Sequence, residues 1–203
     1  MKKLLKRIGI CLVLAASVWC GSLLADRQRL NDELIRFHVV ANSDSEEDQS
    51  IKLQVRDAVL ASLQSDLNKI GDVNEARAYL QAKLPQIQAV ANSVLEATGC
   101  DCEAVVTLCK EAFDTRYYDT FTLPAGIYEA LRITIGEGEG HNWWCVAFPS
   151  LCLSATSEEF ASKAAGAGFP DSLTGALDGD EKYEVRFFLL DALGELEKIL
   201  FAG

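Results

Sequence analysis

The 203-residue chain has no internal repeat, no heptad run and no long Pro- or Ser-rich linker. A solenoid, a coiled coil and a string of tethered domains are therefore excluded. A chain of this length, about half of it hydrophobic, builds one domain with a proper core. Positive charge is also scarce: 19 Lys and Arg stand against 30 Asp and Glu, a formal charge of −11. The first 25 residues hold four positive charges and no acid, so the remainder stands at −15. Nucleic acid and anionic lipid are disfavoured as partners, because both would be repelled.

Motifs that carry chemistry are equally sparse. Gly136-Glu-Gly-Glu-Gly140 lacks the Lys-Ser/Thr of a phosphate loop, and its glutamates would repel a phosphate. Cys100, Cys102, Cys109, His141 and Cys145 match no standard zinc spacing. His141, four residues before Cys145, is the candidate partner of a nucleophilic thiol. Outside the cytoplasm, however, Cys145 is expected to be bridged to Cys152, seven positions on, which removes the nucleophile. By the same compartment argument Cys109 is expected to pair with Cys100 or Cys102, since a Cys100–Cys102 bridge across an extended chain would be strained. His38 lies in a strand-like run without a matching ligand and reads as a core or edge residue. No metal, cofactor or catalytic residue is assigned.

What the chain does have begins at the N-terminus. Lys2, Lys3, Lys6 and Arg7 precede a charge-free run, Ile8 to Ala25, so residues 1–25 read as a signal peptide or membrane anchor. As a helix that run spans about 27 Å, slightly short of a hydrocarbon core of roughly 30 Å. Small-residue cleavage sites are poor, and processing is left open. Residues 26–33 are a polar connector, and 34–203 a single domain.

Within the domain, Leu34 to Val40 has the β-branched and aromatic content of a central strand. In Asn42-Ser43-Asp44-Ser45-Glu46-Glu47, the Ser43/Glu46 and Asp44/Glu47 spacings fit capping boxes, and capping accounts for every residue without a ligand. The same turn, at a strand end, is also placed to bind an ion or anchor a partner. Ile51, Val55, Val59 and Leu63 mark one helix; Ala76 to Val94 marks another, begun by Asp72 with Glu75, ended by Gly99, and kinked or divided at Pro85. Strands follow at Glu103 to Cys109, Tyr117 to Leu123 and Ile127 to Ile135. Trp144 to Phe148 is expected to form a hairpin with Ile127 to Ile135, the glycines at its tip. A Gly-rich surface loop is expected near 164–180, then a strand over Tyr183 to Leu190 and a helix over Asp191 to Phe201. The class is α+β: one mixed or mostly antiparallel sheet, with two long N-terminal helices and a C-terminal helix packed on it, after the N-terminal signal or anchor helix.

The most unusual stretch is Gly136 to Cys152, with its glycines, Trp143, Trp144 and two cysteines. The glycines permit a sharp turn, and on an extended backbone the tryptophans point to opposite faces, one into the core and one toward solvent or a partner. Arg36-Phe-His-Val-Val-Ala-Asn-Ser-Asp-Ser45, Val55-Arg-Asp-Ala-Val59, Leu123-Pro-Ala-Gly-Ile-Tyr-Glu-Ala130 and Gly140-His-Asn-Trp-Trp-Cys-Val-Ala-Phe-Pro-Ser-Leu-Cys152 together resemble the stage II sporulation protein R family. The resemblance implies an activator, not an enzyme, made in the forespore of an endospore-forming bacterium and exported between the two septal membranes. There such proteins signal to a membrane-embedded aspartic protease that processes pro-sigma-E. The expected contact residues are Asn42, Ser43, Asp44, His141, Asn142, Trp143 and Trp144, on a loop stapled by Cys145–Cys152. The cysteines at 100, 102 and 109 depart from the family pattern. A small cell-envelope hydrolase using His141 with Cys145 is the alternative.

Overall fold

In the computed structural model, the described residues are 2–149, 157–166 and 168–202. Six strands and six α-helices give the expected α+β class among them. Four strands form one mixed sheet: β2 (Ala104–Phe113), β5 (Gly126–Ile135), β1 (Ile35–Val40) and β6 (Asn142–Phe148), in that spatial order. β1 runs parallel to β5 and antiparallel to β6, while β2 and β5 are antiparallel. Two short strands, β3 (Arg116–Tyr117) and β4 (Thr122–Leu123), pair separately where one strand was expected.

This order overturns the expected hairpin between β5 and β6. β1 lies between them, so the glycine-rich segment crosses the end of β1 instead of folding straight back. The reason is burial. All six residues of β1 are inaccessible, as a central strand covered on both faces requires.

α2 (Glu46–Leu67) and α3 (Val73–Thr98) cover one face. Val55, Val59 and Leu63 of α2 and Leu80, Ile87 and Leu95 of α3 pack on Phe37, Val39, Leu131 and Ile133 of the sheet. Asp72 caps α3 by accepting from the amides of Asn74 and Glu75, and Gly99 ends it with φ 74°, both as the sequence suggests. Pro85 does not divide α3; it sits exposed within an unbroken helix.

The opposite face is covered from the two ends of the chain. α1 (Lys2–Glu33) is one continuous helix, and the polar stretch 26–33 is its last two turns, docked on the domain through Leu30. α4 (Ser157–Gly166) precedes the expected Gly-rich loop and runs into its first residues, and the rest of that loop instead holds α5 (Asp171–Asp178). The expected strand over Tyr183 to Leu190 is the start of α6 (Glu184–Ala202), preceded by one 3-10 turn, Glu181–Tyr183. In α6 the apolar run divides between two sides: Phe187, Leu189 and Leu190 join the core, while Val185 and Phe188 stay exposed. The helix is fixed by Asp191, which accepts from the amide of Ala125 at 2.8 Å and from the Thr115 hydroxyl.

Candidate functional site

At the C-terminal end of β1 the chain turns through Asn42, Ser43 and Asp44 into α2. The expected capping boxes are displaced by one to two residues: Ser45 caps α2, its hydroxyl accepting from the Asp48 amide at 3.1 Å. The three residues before it are thereby free to hold the glycine-rich crossover. The Asn42 side-chain oxygen accepts from the amide of Glu137 at 3.1 Å, and its carbonyl from Glu139 at 3.1 Å. Asp44 Oδ1 accepts from the His141 amide at 2.6 Å and lies 2.5 Å from His141 Nδ1. Ser43 donates to Asp48, which also accepts from Asn42 at 3.0 Å.

Two glycines are required by this closeness. Gly136 has φ 55°, and a Cβ there would stand 2.2 Å from Asn42 Oδ1. A Cβ on Gly140 would stand 2.2 Å from the Ser43 carbonyl oxygen. Both separations are far inside van der Waals contact, so neither position accepts a side chain without moving the turn.

The electrostatics follow from the same contacts. The His141 amide and imidazole hold the Asp44 carboxyl below its ordinary value, and the Ser43 hydroxyl and Asn42 amide do the same for Asp48. Lys52, almost fully buried, donates to the His141 carbonyl at 2.9 Å and to Gln49. Its burial lowers its pKa, against the attraction of Asp44. The outcome is a rigid double turn that presents Asp44 and a largely exposed His141 to solvent.

Trp143 and Trp144 of β6 point to opposite faces, but neither is fully buried and neither is fully exposed. Trp143 meets Phe37 edge-on at 5.8 Å and lies under the Arg56 guanidinium at 4.9 Å. Trp144 stacks on His38 at 4.7 Å, with its other contacts to Phe113 at 5.2 Å and the Arg116 guanidinium at 4.5 Å. Each ring is thus half of an aromatic–cation layer with one edge left in water. The structure brings Asn42, Ser43, Asp44, His141 and Asn142 to one end of the sheet, with Trp143 and Trp144 next along the strand.

The sequence profile of stage II sporulation protein R (spore_II_R) matches residues 31–158. The chain belongs to that family. A curated relative, the stage II sporulation protein R of Bacillus subtilis (strain 168), is 43% identical over 122 residues, which is 60% of this chain and 54% of the relative. The chain therefore spans about half the length of that relative. No solved structure matches the chain. The family match takes in the whole four-stranded sheet, α2, α3 and the double turn, and stops at the first residues of α4.

The cysteines of this family member are arranged differently from the expectation. Cys100 is bridged to Cys102, with Cα atoms 5.4 Å apart, and Cys109 is an exposed free thiol. The bridge lies in the connection between α3 and β2, and its Cα–Cα distance is shorter than the roughly 6.6 Å that two residues of extended chain would span. Cys109 lies seven residues beyond Cys102 along an extended strand, about 23 Å away. Its thiol contacts Thr107 and Glu111, on the side of the strand away from α3. The Cys145 side chain is buried, its sulfur 3.8 Å from the Val146 carbonyl oxygen; the expected staple to Cys152 falls outside the described residues.

The hydrolase alternative finds no support in this geometry. His141 is engaged by Asp44, while Cys145 is buried within β6. Among the described residues no three His, Cys, Asp or Glu side chains come together as metal ligands. A 520 Å³ groove lined by Asp32, Glu33, Asp72, Asn74 and Arg77 contains neither Cys nor His.

Sequence reasoning missed Lys52, Asp48, Arg56 and Arg116, all of which hold the turn or the tryptophans. Lys52 left one signal: it follows Ile51 directly, on the border of the apolar stripe. Arg116 left none, because its partner Trp144 is 28 positions away.

Proposed function

We propose that this chain is an exported signalling protein of endospore formation, acting from the space between the septal membranes. In this reading it activates a membrane-embedded aspartic protease on its extracytoplasmic side, which then processes pro-sigma-E. It works by binding and performs no catalysis itself. The observation that carries the reading is the double turn: hydrogen bonds from two distant parts of the chain fix a surface whose exposed groups, Asp44 and His141, take little part in packing. Such a rigid surface loses little conformational entropy on association, which is the usual advantage of a preorganised contact. The half-exposed Trp143 beside it supplies the amphipathic anchor typical of interface centres.

Co-purification with the membrane domain of the protease tests this reading. The wild-type chain is expected to be retained, and a chain carrying both Asp44→Ala and His141→Ala to be lost from the complex while keeping its helical circular dichroism. Equal retention of both proteins would remove the double turn as the contact surface.

A further inference from the structure

The N-terminal helix and the C-terminal helix form a clasp that has no part in the double turn. Arg186 of α6 donates to Asp26 of α1 at 2.5 and 2.8 Å and to the Ser22 hydroxyl at 3.4 Å. Arg27 and Asn31 of α1 both donate to Glu197 of α6. Leu23 and Leu30 are buried alongside. The apolar run and the domain are therefore joined by one unbroken helix whose last third packs on the core, with no flexible linker between them.

This arrangement sets how deep the run can lie in a membrane. α1 is long and apolar enough to cross one. From Lys6 to Gly21 its side chains are exposed, but Leu23, Asp26 and Arg27 are already covered by the domain. The free apolar part, Ile8 to Gly21, spans only about 21 Å as a helix, against roughly 30 Å for a hydrocarbon core. Lipid must therefore close up against the domain itself. What it meets at that level is the exposed Leu24 and the first turns of α6, because Arg186 holds α6 beside Ser22 and Asp26. There α6 places Val185 (64% exposed) and Phe188 (68% exposed) in solvent on either side of Arg186. Large apolar groups in that position need a cover, and the adjacent bilayer supplies one. The domain's negative charge favours a zwitterionic surface over an anionic one.

We propose that α6 is a membrane-docking element: α1 is kept as a membrane span, and Val185 and Phe188 of α6, with Leu24 of α1, enter the interface of the same zwitterionic bilayer. The inference is independent of the signalling reading. Cleavage after Ala25 would delete Leu23 and Ser22 from the clasp and is incompatible with it.

The test uses the full-length chain in phosphatidylcholine vesicles, with photoreactive benzoylphenylalanine in place of Val185, Phe188 or, as a reference, the exposed Val105 of β2. All three positions are on the surface, so the fold is not disturbed. After irradiation, lipid adducts read by intact mass are expected several-fold more often at 185 and 188 than at 105, on chains whose N-terminus is intact. Adduct yields at 185 and 188 no higher than at 105 would overturn the proposal. So would cross-linked dimers in place of lipid adducts, or recovery from cells of a chain beginning after Ala25.

Discussion

The sheet face under α2 and α3 is packed almost entirely with aliphatic side chains, and the buried Lys52 lies at its rim by the double turn. The face under α1 and α6 buries Arg36, His38, Arg27 and Asp26 among its rings. Arg36 is completely inaccessible, its guanidinium 4.4 Å from the Phe113 ring and 5.1 Å from Tyr128, with Nη2 donating to the Tyr118 hydroxyl at 3.0 Å. His38 lies between Trp144 and Phe113, its Nε2 3.1 Å from Glu111 without the alignment of a hydrogen bond. The first face gains stability from area removed from water, which tolerates exchange of one aliphatic residue for another. The second depends on particular pairs, and losing one partner leaves a buried charge unpaired.

The largest test of that contrast is Arg186→Ala. It strands Asp26, whose side chain is 5% exposed, and is expected to cost about 3–5 kcal/mol in chemical denaturation. Changing both partners, as Arg186→Met with Asp26→Leu, is expected to recover most of the loss. If the single and double variants are equally unstable, the pair is not what holds the clasp. At the rim of the first face, Lys52→Met removes the donor to the His141 carbonyl and is expected to cost about 1–3 kcal/mol. Amide exchange should then quicken at Gly140 and His141 and not within β5. The smallest effect is that of acid on the double turn. Because the folded Asp44 and Asp48 carboxyls titrate below their ordinary values, their contribution is complete above a pH of about 4 and is lost as pH falls through the folded values. Between pH 5 and 3, protection of the His141 and Glu137 amides, relative to the intrinsic exchange rate at each pH, should fall while amides of β1 stay protected. Protection unchanged over that range would mean the carboxylates do not hold the crossover.

The same contrast explains which parts were legible in the sequence. α2, α3 and β5 face an aliphatic layer, so their periodicity and the cap at Asp72 located them well. α6 was misread because Val185 to Leu190 is apolar on both its buried and its exposed side, which removes the alternation that separates helix from strand. The hairpin expectation failed because insertion of β1 between β5 and β6 is a matter of long-range order, invisible to a local turn signal. At the site, the residues of the Asn42–Asp44 turn and the His141–Trp144 segment were identifiable by type. Their joining was not, since it depends on hydrogen bonds across 95 and 97 positions. The Cys100–Cys102 pairing is not legible because it depends on how far the chain between the two residues departs from full extension, here 5.4 Å between Cα atoms against roughly 6.6 Å.

His141→Ala tests most directly whether the double turn is the binding surface proposed above. The imidazole is 82% exposed, so its loss should leave the fold intact. In sporulating cells the variant is expected to accumulate to the wild-type level while processing of pro-sigma-E falls at least tenfold, about 1.4 kcal/mol of contact free energy. Wild-type processing by a His141→Ala, Asp44→Ala chain at the same protein level would contradict the account.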